Sequence, residues 1–558
     1  MILKNRFYTL TGLSLALLVI SCGEPEKPKE VDIVPKEEDI NLRISKNLKE
    51  TVDYAVINKG RINDTILLAQ PDLIEKIYSS NEYKGVWRSQ TGWAPLADSL
   101  VDFIKNSKEY GLFPADYHYR QLNGAFYLLA KDSTSHKNAA LWTRADLMLT
   151  DAVLQMARHL KYGRLAPDSV TLQKDTVVDN DLIVKTFQDV LSSKDLRNTL
   201  HQLEPKHPGY DSLKLALKGY LDSVTFKRYT YLIYPDKDSA TFYSKLQKRL
   251  FESDLLPSAV DQIDTAAWRA AIRKVQKDNG LKETGRISEV TVNRLNNTNW
   301  EKFIRAAITL DRYKQLSDSM PSTYIWVNIP AYMLSVKDSG ITAFESRVIV
   351  GSTKTRTPLL TSNVSNFITY PQWTVPYSII FKEMLPQIQK NVNYLAKQNL
   401  MVVDKNDSII DPTKIDWSKL SKNRFPYLLK QRQGDDNSLG VLKFNFPNKY
   451  AVYLHDTNAR WAFSREDRAL SHGCVRVKDF RRLANFLIRN DTIKYPQDTI
   501  SNWIRRQEKH VVSGFKKVPV YIRYFSVEGK EGSIRFYPDI YGEDRLLRNR
   551  YFADKAML

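Results

Sequence analysis

The residues with the clearest chemical potential are a cysteine and a histidine that lie close together in the sequence. Cys474 is part of the segment Ser-His-Gly-Cys-Val-Arg-Val, and His455 precedes it by 19 residues. A thiol becomes a nucleophile when an imidazole takes its proton, and backbone N–H groups around a Gly-Cys step can stabilise a developing oxyanion. These residues therefore predict nucleophilic attack by Cys474 on a carbonyl group.

The chain contains 2 cysteines, and the sequence predicts different roles for them. Cys22 ends a short apolar run that follows a positively charged start, and this pattern resembles a bacterial lipoprotein signal. The resemblance implies that Cys22 is lipidated, and the charged, proline-containing stretch after it is typical of a flexible tether. Cys474 then remains an unpaired thiol. The alternative, a buried structural cysteine, is disfavoured by its polar, glycine-containing surroundings.

The composition limits the partners that this chain can have. Its 558 residues suggest several domains, and its formal net charge is +20. Basic chains often bind nucleic acid, but an exported lipoprotein meets none, so we expect no nucleic-acid partner. An anionic cell-wall polymer or a membrane surface is the expected acidic partner, although basic faces could equally serve solubility alone. We expect no cofactor and no metal.

Hydrophobic periodicity separates helical from strand-forming regions. Residues 64–224 carry apolar residues at intervals of three and four, which predicts helices, and a second helical unit covers 239–298. From 322 onward, short β-branched segments that end in Gly or Pro predict strands, interrupted by a helical insertion over 377–430. We therefore predict a multidomain α+β protein whose mostly β catalytic domain carries a helical lid. A structural subdomain far from the site is the alternative for the insertion.

Several motifs carry a resemblance to a known family. The segment 471–477, together with Tyr-Leu-His-Asp-Thr at 453–457, resembles the signature of the L,D-transpeptidases, which have a YkuD-type catalytic domain. The segment 351–358 resembles the family's strand and turn before the site. The segments 373–376, 437–440, 443–444, 446–448 and 536–542 resemble those of the large periplasmic subclass. The unit at 239–298 resembles a three-helix peptidoglycan-binding domain, with a generic helical bundle as the alternative. We expect, in chain order, a lipoprotein signal peptide (1–21), a flexible tether (22–62), a helical scaffold domain (63–235), a peptidoglycan-binding-like domain (236–300), a connecting helix (301–321), the catalytic domain (322–512) and a C-terminal β tail (513–558).

The resemblance implies a role for each motif residue. Cys474 matches the nucleophile and His455 the general base, while His472 is the second candidate base and is expected to shape the turn. Asp456 would orient the imidazole through its backbone carbonyl, and the N–H groups of Gly473 and Cys474 would form the oxyanion hole. Substrate contacts are expected from Arg476, Ser471, Trp373 and Tyr453. For Arg476, a structural ion pair is an equal alternative.

The implied reaction proceeds through a thioester. Cys474 would attack the third residue of a tetrapeptide stem, release D-Ala, and pass the acyl group to an amine of a neighbouring stem, which gives a 3→3 cross-link. Water as acceptor would give L,D-carboxypeptidase activity, and a lipoprotein amine would give protein anchoring. A non-catalytic wall-binding lipoprotein is the alternative from another class. The expected location is the periplasm, with a lipid anchor at the outer membrane.

Overall fold

The computed structural model describes residues 26–90, 92–165, 177–259 and 264–555. Cys22 and the expected signal peptide lie outside these residues, so the lipidation of Cys22 stays a prediction. No described helix combines the length and the apolar composition that a bilayer-spanning segment requires. The chain forms two compact units: residues up to 104 with 116–156 and 180–199 form the first, and 105–115, 157–179 and 200 onward form the second.

The chain before the catalytic region is helical, as its three-and-four periodicity predicts. A short ladder of β1 (Arg88–Ser89) and β2 (Gly92–Trp93) is the exception. The helices up to residue 223 are α1 (Ile40–Ile57), α2 (Pro71–Ser80), α3 (Pro95–Lys105), α4 (Tyr119–Lys131), α5 (Ser133–His136), α6 (Ala139–Tyr162), α7 (Asn180–Ser193), α8 (Leu196–His201) and α9 (Pro208–Ser223).

Three helices follow as a small bundle: α10 (Ser239–Phe251), α11 (Thr265–Asp278) and α12 (Glu289–Leu295). Their apolar faces share a core that includes Leu246, Leu250, Val275 and Val292. The buried Gln276 holds the turn after α11, since its Oε1 accepts from the Gly285 N–H at 2.9 Å and its Nε2 donates to the Arg286 carbonyl at 2.9 Å. Helix α13 (Asn299–Tyr313) then leads to the catalytic region.

The catalytic region is built on a nine-stranded mixed sheet. Its strands are β3 (Tyr324–Asn328), β4 (Met333–Asp338), β5 (Ile341–Gly351), β6 (Leu360–Thr369), β11 (Leu442–Asn445), β12 (Leu454–His455), β13 (Ala469–Ser471), β14 (Val475–Val477) and β15 (Val511–Arg523). The order is β13-β5-β14-β12-β11-β6-β15-β3-β4, and β4 also pairs with β5, so the sheet curls back on itself. Strand β15 crosses residue 512, where the catalytic domain was expected to end, and lies between β6 and β3.

Apolar side chains on the inside of the curled sheet form the hydrophobic core of this region. Val327, Val350, Phe367 and Phe444 come from different strands and are fully buried. Helix α17 (Phe480–Ile488) closes this core with one apolar stripe, and α18 (Thr499–Arg505) adds Ile500. Burial of this apolar surface is the main force that holds the short site-bearing strands in register.

The insertion is a small subdomain with its own core and contains more than helices. It holds α14 (Tyr377–Ile379), a π-helical turn (Ile380–Met384), α15 (Leu385–Lys390) and α16 (Asn393–Lys397). It also holds an antiparallel sheet in the order β7-β10-β8-β9, which the sequence analysis missed. These strands are β7 (Trp373–Thr374), β8 (Leu400–Val403), β9 (Ile409–Ile410) and β10 (Leu428–Gln431). Strand β8 is a run of four buried apolar residues, for which periodicity cannot separate strand from helix.

The C-terminal residues pack on α9 and α13 and so form a second core. Hairpin β16 (Val527–Lys530) and β17 (Ser533–Phe536), followed by α19 (Glu543–Tyr551), contributes Val527 and Leu547 to it. The approach is close, because a Cβ atom added at Gly529 would lie 2.0 Å from the Ser212 carbonyl oxygen in α9.

We predict that Gly529→Ala destabilises the second unit, because the α9 backbone cannot move away from the added methyl group. Overpacking of this kind costs about 1–3 kcal/mol. Gly219→Ala in the same helix is the matched control: its Cβ would meet nothing within 4 Å, so it should be neutral or slightly stabilising. Urea denaturation followed by circular dichroism measures both, and equal midpoints for the two variants would contradict the close packing.

Candidate active site

Three side chains form a row across three neighbouring strands. Lys443 in β11 is directly opposite His455 in β12, and His455 is directly opposite Arg476 in β14. Neighbouring strands lie about 4.8 Å apart, so the imidazole has a cation on each side. Strands β12 and β14 run parallel, which places the His455 and Cys474 segments side by side although a loop separates them in sequence.

Cys474 and Tyr453 form the adjacent position along the same pair of strands. The Val475 N–H donates to the Tyr453 carbonyl at 3.1 Å, which places Tyr453 beside Cys474. Side chains alternate along strands, so Tyr453, His455, Cys474 and Arg476 point to one face of the sheet. The rings of Tyr453 and His455 lie 5.5 Å apart, and the Cys474 Sγ contacts the Ala451 carbonyl at 3.9 Å. The sheet therefore brings the predicted nucleophile and base together.

The turn that carries Cys474 is braced from within by Ser471. The Ser471 hydroxyl donates to the Cys474 carbonyl at 2.6 Å and accepts from the Gly473 N–H at 3.1 Å. Ser471 is only 3% exposed, so its hydroxyl serves the turn, whereas the sequence analysis expected a substrate contact. The Gly473 N–H, expected in the oxyanion hole, is likewise engaged inside the turn. It could reach an oxyanion only if this hydrogen bond opened.

A second brace reaches the turn from other parts of the chain, and the sequence analysis missed it. The Thr357 hydroxyl donates to the Gly473 carbonyl at 2.9 Å and accepts from the Gly351 N–H at 2.8 Å. Tyr541, near the C-terminus, donates from its hydroxyl to the Gly351 carbonyl at 2.6 Å and accepts from the Thr357 N–H at 3.1 Å. Gly473 has a φ of +118°, a conformation that favours glycine. The segments 351–358 and 536–542 both resemble family motifs, and this resemblance was the only hint of the brace in the sequence analysis.

His455 is held as a neutral imidazole. It is 4% exposed, and burial, followed by the charges of Arg476 and Lys443, lowers its pKa to about 3. The backbones of Asp456 and Leu439 oppose this shift and raise the pKa, but Nδ1 makes no hydrogen bond of standard geometry with any described residue. The ring can therefore accept a proton at neutral pH, but it becomes a strong base only if its surroundings change.

Cys474 is also neutral in the resting site. Burial raises the pKa of its thiol, and hydrogen bonds from the backbone and side chain of Tyr453 and the charges of Lys443 and Arg476 lower it without reversing the shift. The tyrosine hydroxyl is itself kept protonated, since burial, followed by the nearby Cys474 side chain, raises the pKa of Tyr453. A hydrogen bond that the Trp373 indole, an expected substrate contact, donates to the Tyr453 oxygen lowers the pKa of Tyr453 and so acts in the opposite direction.

The Asp456 carboxylate does not point at the imidazole. Its Oδ2 accepts from the Val441 N–H at 3.0 Å and its two oxygens pair with Arg460. Gly440 lies so close that an added Cβ would be 2.3 Å from Asp456 Oδ2. The carboxylate therefore fastens the turn before β11, and the expected orienting role is left to the backbone of Asp456.

His472 faces the insertion. Its Nε2 lies 2.8 Å from Glu383 Oε1, and both side chains are about half exposed, at 46% and 53%. Glu383 belongs to the π-helical turn, so the insertion reaches a residue that is two positions from Cys474. The described residues contain no cluster of three or more His, Cys, Asp or Glu side chains that could hold a metal ion.

Comparisons with known proteins match three parts of the chain. Residues 322–500 match the L,D-transpeptidase catalytic domain, YkuD, residues 72–217 match a scaffold domain, and residues 241–295 match a "Putative peptidoglycan binding domain". A protein of Haemophilus influenzae named "Putative L,D-transpeptidase" is 38% identical over 229 residues, which cover 40% of this chain and 44% of that protein. The matched part is thus less than half the length of this relative.

A solved structure titled "Structure of the Ldtfm-avibactam carbamoyl enzyme" matches 37% of this chain and 49% of its own at 12% identity, with a TM-score of 0.17. This score supports no inference about the fold. Residues 322–500 are therefore similar to the YkuD-type L,D-transpeptidase catalytic domain, and two regions before them are similar to a scaffold domain and a peptidoglycan-binding domain.

Proposed function

We propose that this protein is a peptidoglycan L,D-transpeptidase that forms 3→3 cross-links through a thioester on Cys474. The observation that carries the proposal is the parallel pairing of β12 and β14, which puts the thiol and the neutral His455 on one face. The match to a peptidoglycan-binding domain supports the substrate class. The domain ranges expected from the sequence remain part of this proposal with two changes: α1 (Ile40–Ile57) lies inside the expected tether, and β15 (Val511–Arg523) continues past the expected end of the catalytic domain.

The chemistry follows from the two neutral groups. The Cys474 sulfur attacks the carbonyl carbon of the third stem residue while its proton passes to His455. The Cys474 N–H stabilises the resulting oxyanion. When the tetrahedral intermediate collapses, the C–N bond to D-Ala breaks, and its nitrogen takes the proton from His455. An amine of a second stem then attacks the thioester and gives a proton to His455. The C–S bond breaks, and the Cys474 sulfur takes that proton from His455 and is freed as the thiol.

Water competes with the acceptor amine, so the thioester needs protection. We propose that the insertion over 377–430 is a lid on the acyl-enzyme, with the Glu383–His472 contact as its attachment to the turn. Exclusion of water by such segments commonly favours transfer over hydrolysis. In the cell, lipidated Cys22 would anchor the protein in the periplasm, at the outer membrane, within reach of peptidoglycan.

The proposal predicts that the protein converts purified tetrapeptide muropeptides into 3→3 dimers with release of D-Ala. Cys474→Ser should fold normally but lose turnover, because a hydroxyl beside the same imidazole is a much weaker nucleophile. Liquid chromatography with mass spectrometry reads the products, and intact-mass analysis detects the acyl adduct. Tripeptides without dimers would assign a carboxypeptidase instead, and dimers from the serine variant at the original rate would refute the thioester.

The two histidines should respond differently to substitution. We expect His455→Ala to lower kcat/KM by about 10²–10⁴-fold, the usual contribution of a positioned general base. His472→Ala should keep most of its turnover but raise the ratio of hydrolysis to cross-linking, because it releases Glu383. Glu383→Gln is the matched variant and should reproduce that change in ratio. If His472→Ala costs more kcat/KM than His455→Ala, His472 is the base.

The half-buried Cys474 thiol should react slowly with iodoacetamide at neutral pH. Burial raises the Cys474 pKa above its ordinary value, so the thiolate fraction at pH 7 is smaller than that of a free cysteine and grows only at more alkaline pH. The Cys22→Ser variant isolates this thiol, and the same protein unfolded in guanidinium should react faster at pH 7–8. Rapid alkylation of the folded protein at pH 5–6 would instead reveal a preformed thiolate–imidazolium pair.

A further inference from the structure

Lys443 is a half-buried cation of the site to which the sequence analysis gave no role. It occupies the far end of the row that continues through His455 to Arg476. Its Nζ lies 4.2 Å from the ring centroid of Tyr453, whose hydroxyl interacts with the Cys474 thiol. Lys443 therefore lies beside the position at which the Cys474 sulfur would attack a substrate carbonyl.

Neither cation of the row has a carboxylate partner in the described part of the chain. The structure shows no ion pair for Lys443 or Arg476, and the Arg476 Nε is buried with no hydrogen-bond partner among the described residues. Nearby carboxylates are used elsewhere, since Asp456 pairs with Arg460 and Glu383 with His472. Burial lowers the pKa of both Lys443 and Arg476, and the Cys474 thiolate is the negative group that opposes this shift.

A thiolate at Cys474 in the absence of substrate does not explain why Lys443 and Arg476 are present. The raised pKa of Cys474 leaves the sulfur protonated, so the resting site has two half-buried positive charges and no anion. Partial withdrawal of a cation from water without a partner raises its free energy. An anion that binds between the two cations offsets this increase. A peptide donor offers such an anion as a carboxylate.

We propose that Lys443, together with Arg476, binds a carboxylate of the acyl donor and thereby selects the donor stem. This inference rests on the proposed function. Two carboxylates of a tetrapeptide stem have the required chemistry: that of the terminal D-amino acid, and the side-chain carboxylate of a diamino-diacid third residue. The first is close to the scissile carbonyl along the chain, and the second is at the end of the third residue's side chain.

A bound carboxylate would also change the base. His455 lies between the two cations, and their positive field opposes its protonation. A negative charge beside Lys443 and Arg476 offsets that field, so the imidazole becomes able to take the thiol proton when a donor is in place. Donor recognition and nucleophile activation would then depend on the same pair of charges.

Donor binding to the full chain with Cys474→Ala, which prevents turnover, tests the subsite by isothermal titration calorimetry. Three tetrapeptides serve as probes: the free acid, the same peptide ending in D-alaninamide, and one whose third-residue side-chain carboxylate is amidated. Lys443→Met should weaken binding of the free acid by roughly 10- to 100-fold, the worth of a charge-assisted hydrogen bond. It should not affect the probe that lacks the recognised carboxylate, which identifies the source.

Two further variants separate recognition from structure. Lys449→Met removes an exposed lysine just after β11 and should leave all three affinities unchanged. Lys443→Arg keeps the charge and should restore free-acid binding to within a few-fold of the unsubstituted residue. Equal affinities of Lys443→Met and the parent for every probe would overturn the subsite, as would an equal loss for all three probes or a failure of Lys443→Arg to rescue.

A separate measurement tests the proposed function. The protein with Cys474 and Lys443 intact is incubated with each donor, and intact-mass analysis reports the acyl-enzyme. An acyl-enzyme with unchanged Lys443→Met affinities refutes only the carboxylate subsite. No acyl-enzyme with any donor refutes the proposed function, whatever the affinities show.

Discussion

The parallel pairing of two very short strands is the constraint on which the proposed active site depends. Strands β12 and β14 contribute only Leu454–His455 and Val475–Val477, yet their register decides which side chains share the sheet face. A slip by one residue would turn His455 to the opposite face. The register is maintained by the buried apolar partners Leu454 and Val475, both fully buried in the sheet core. Core packing thus sets the catalytic geometry.

At this site, loss of hydration affects the pKa values of Cys474 and His455 more than the neighbouring charges do. Lys443 and Arg476 both favour a thiolate at Cys474, but loss of hydration dominates and keeps the thiol neutral. The same loss of hydration, with the same two cations, keeps His455 neutral. A neutral pair protects a lone thiol from oxidation, because the thiolate is the form that reacts. Under the proposed function, activation comes from the donor that binds, and this is the role proposed for Lys443 and Arg476.

The turn that presents the thiol is stabilised by residues far away in sequence. Ser471 closes it locally, and Thr357 connects it to the end of β5, where Tyr541 adds the last hydrogen bonds. The C-terminal residues also pack against α9 and α13, so the second core and the nucleophile turn share one segment of chain. Removal of the C-terminal segment should therefore disturb both, although the hydrogen bonds of its described residues go to the supporting backbone of Gly351 and Thr357.

The sequence by itself determined which residues could react and the α+β class, because Cys474, His455 and the periodicity of the segments are local properties. The subdomain sheet of the insertion was missed, since short buried apolar runs fit strand and helix equally. Only the tertiary structure decided that the Gly473 N–H is engaged within its turn, that Tyr541 braces that turn, and that Lys443 flanks the imidazole. Hydrogen-bond direction, loss of hydration and cross-strand neighbours depend on segments far apart in the chain, and no local pattern records them.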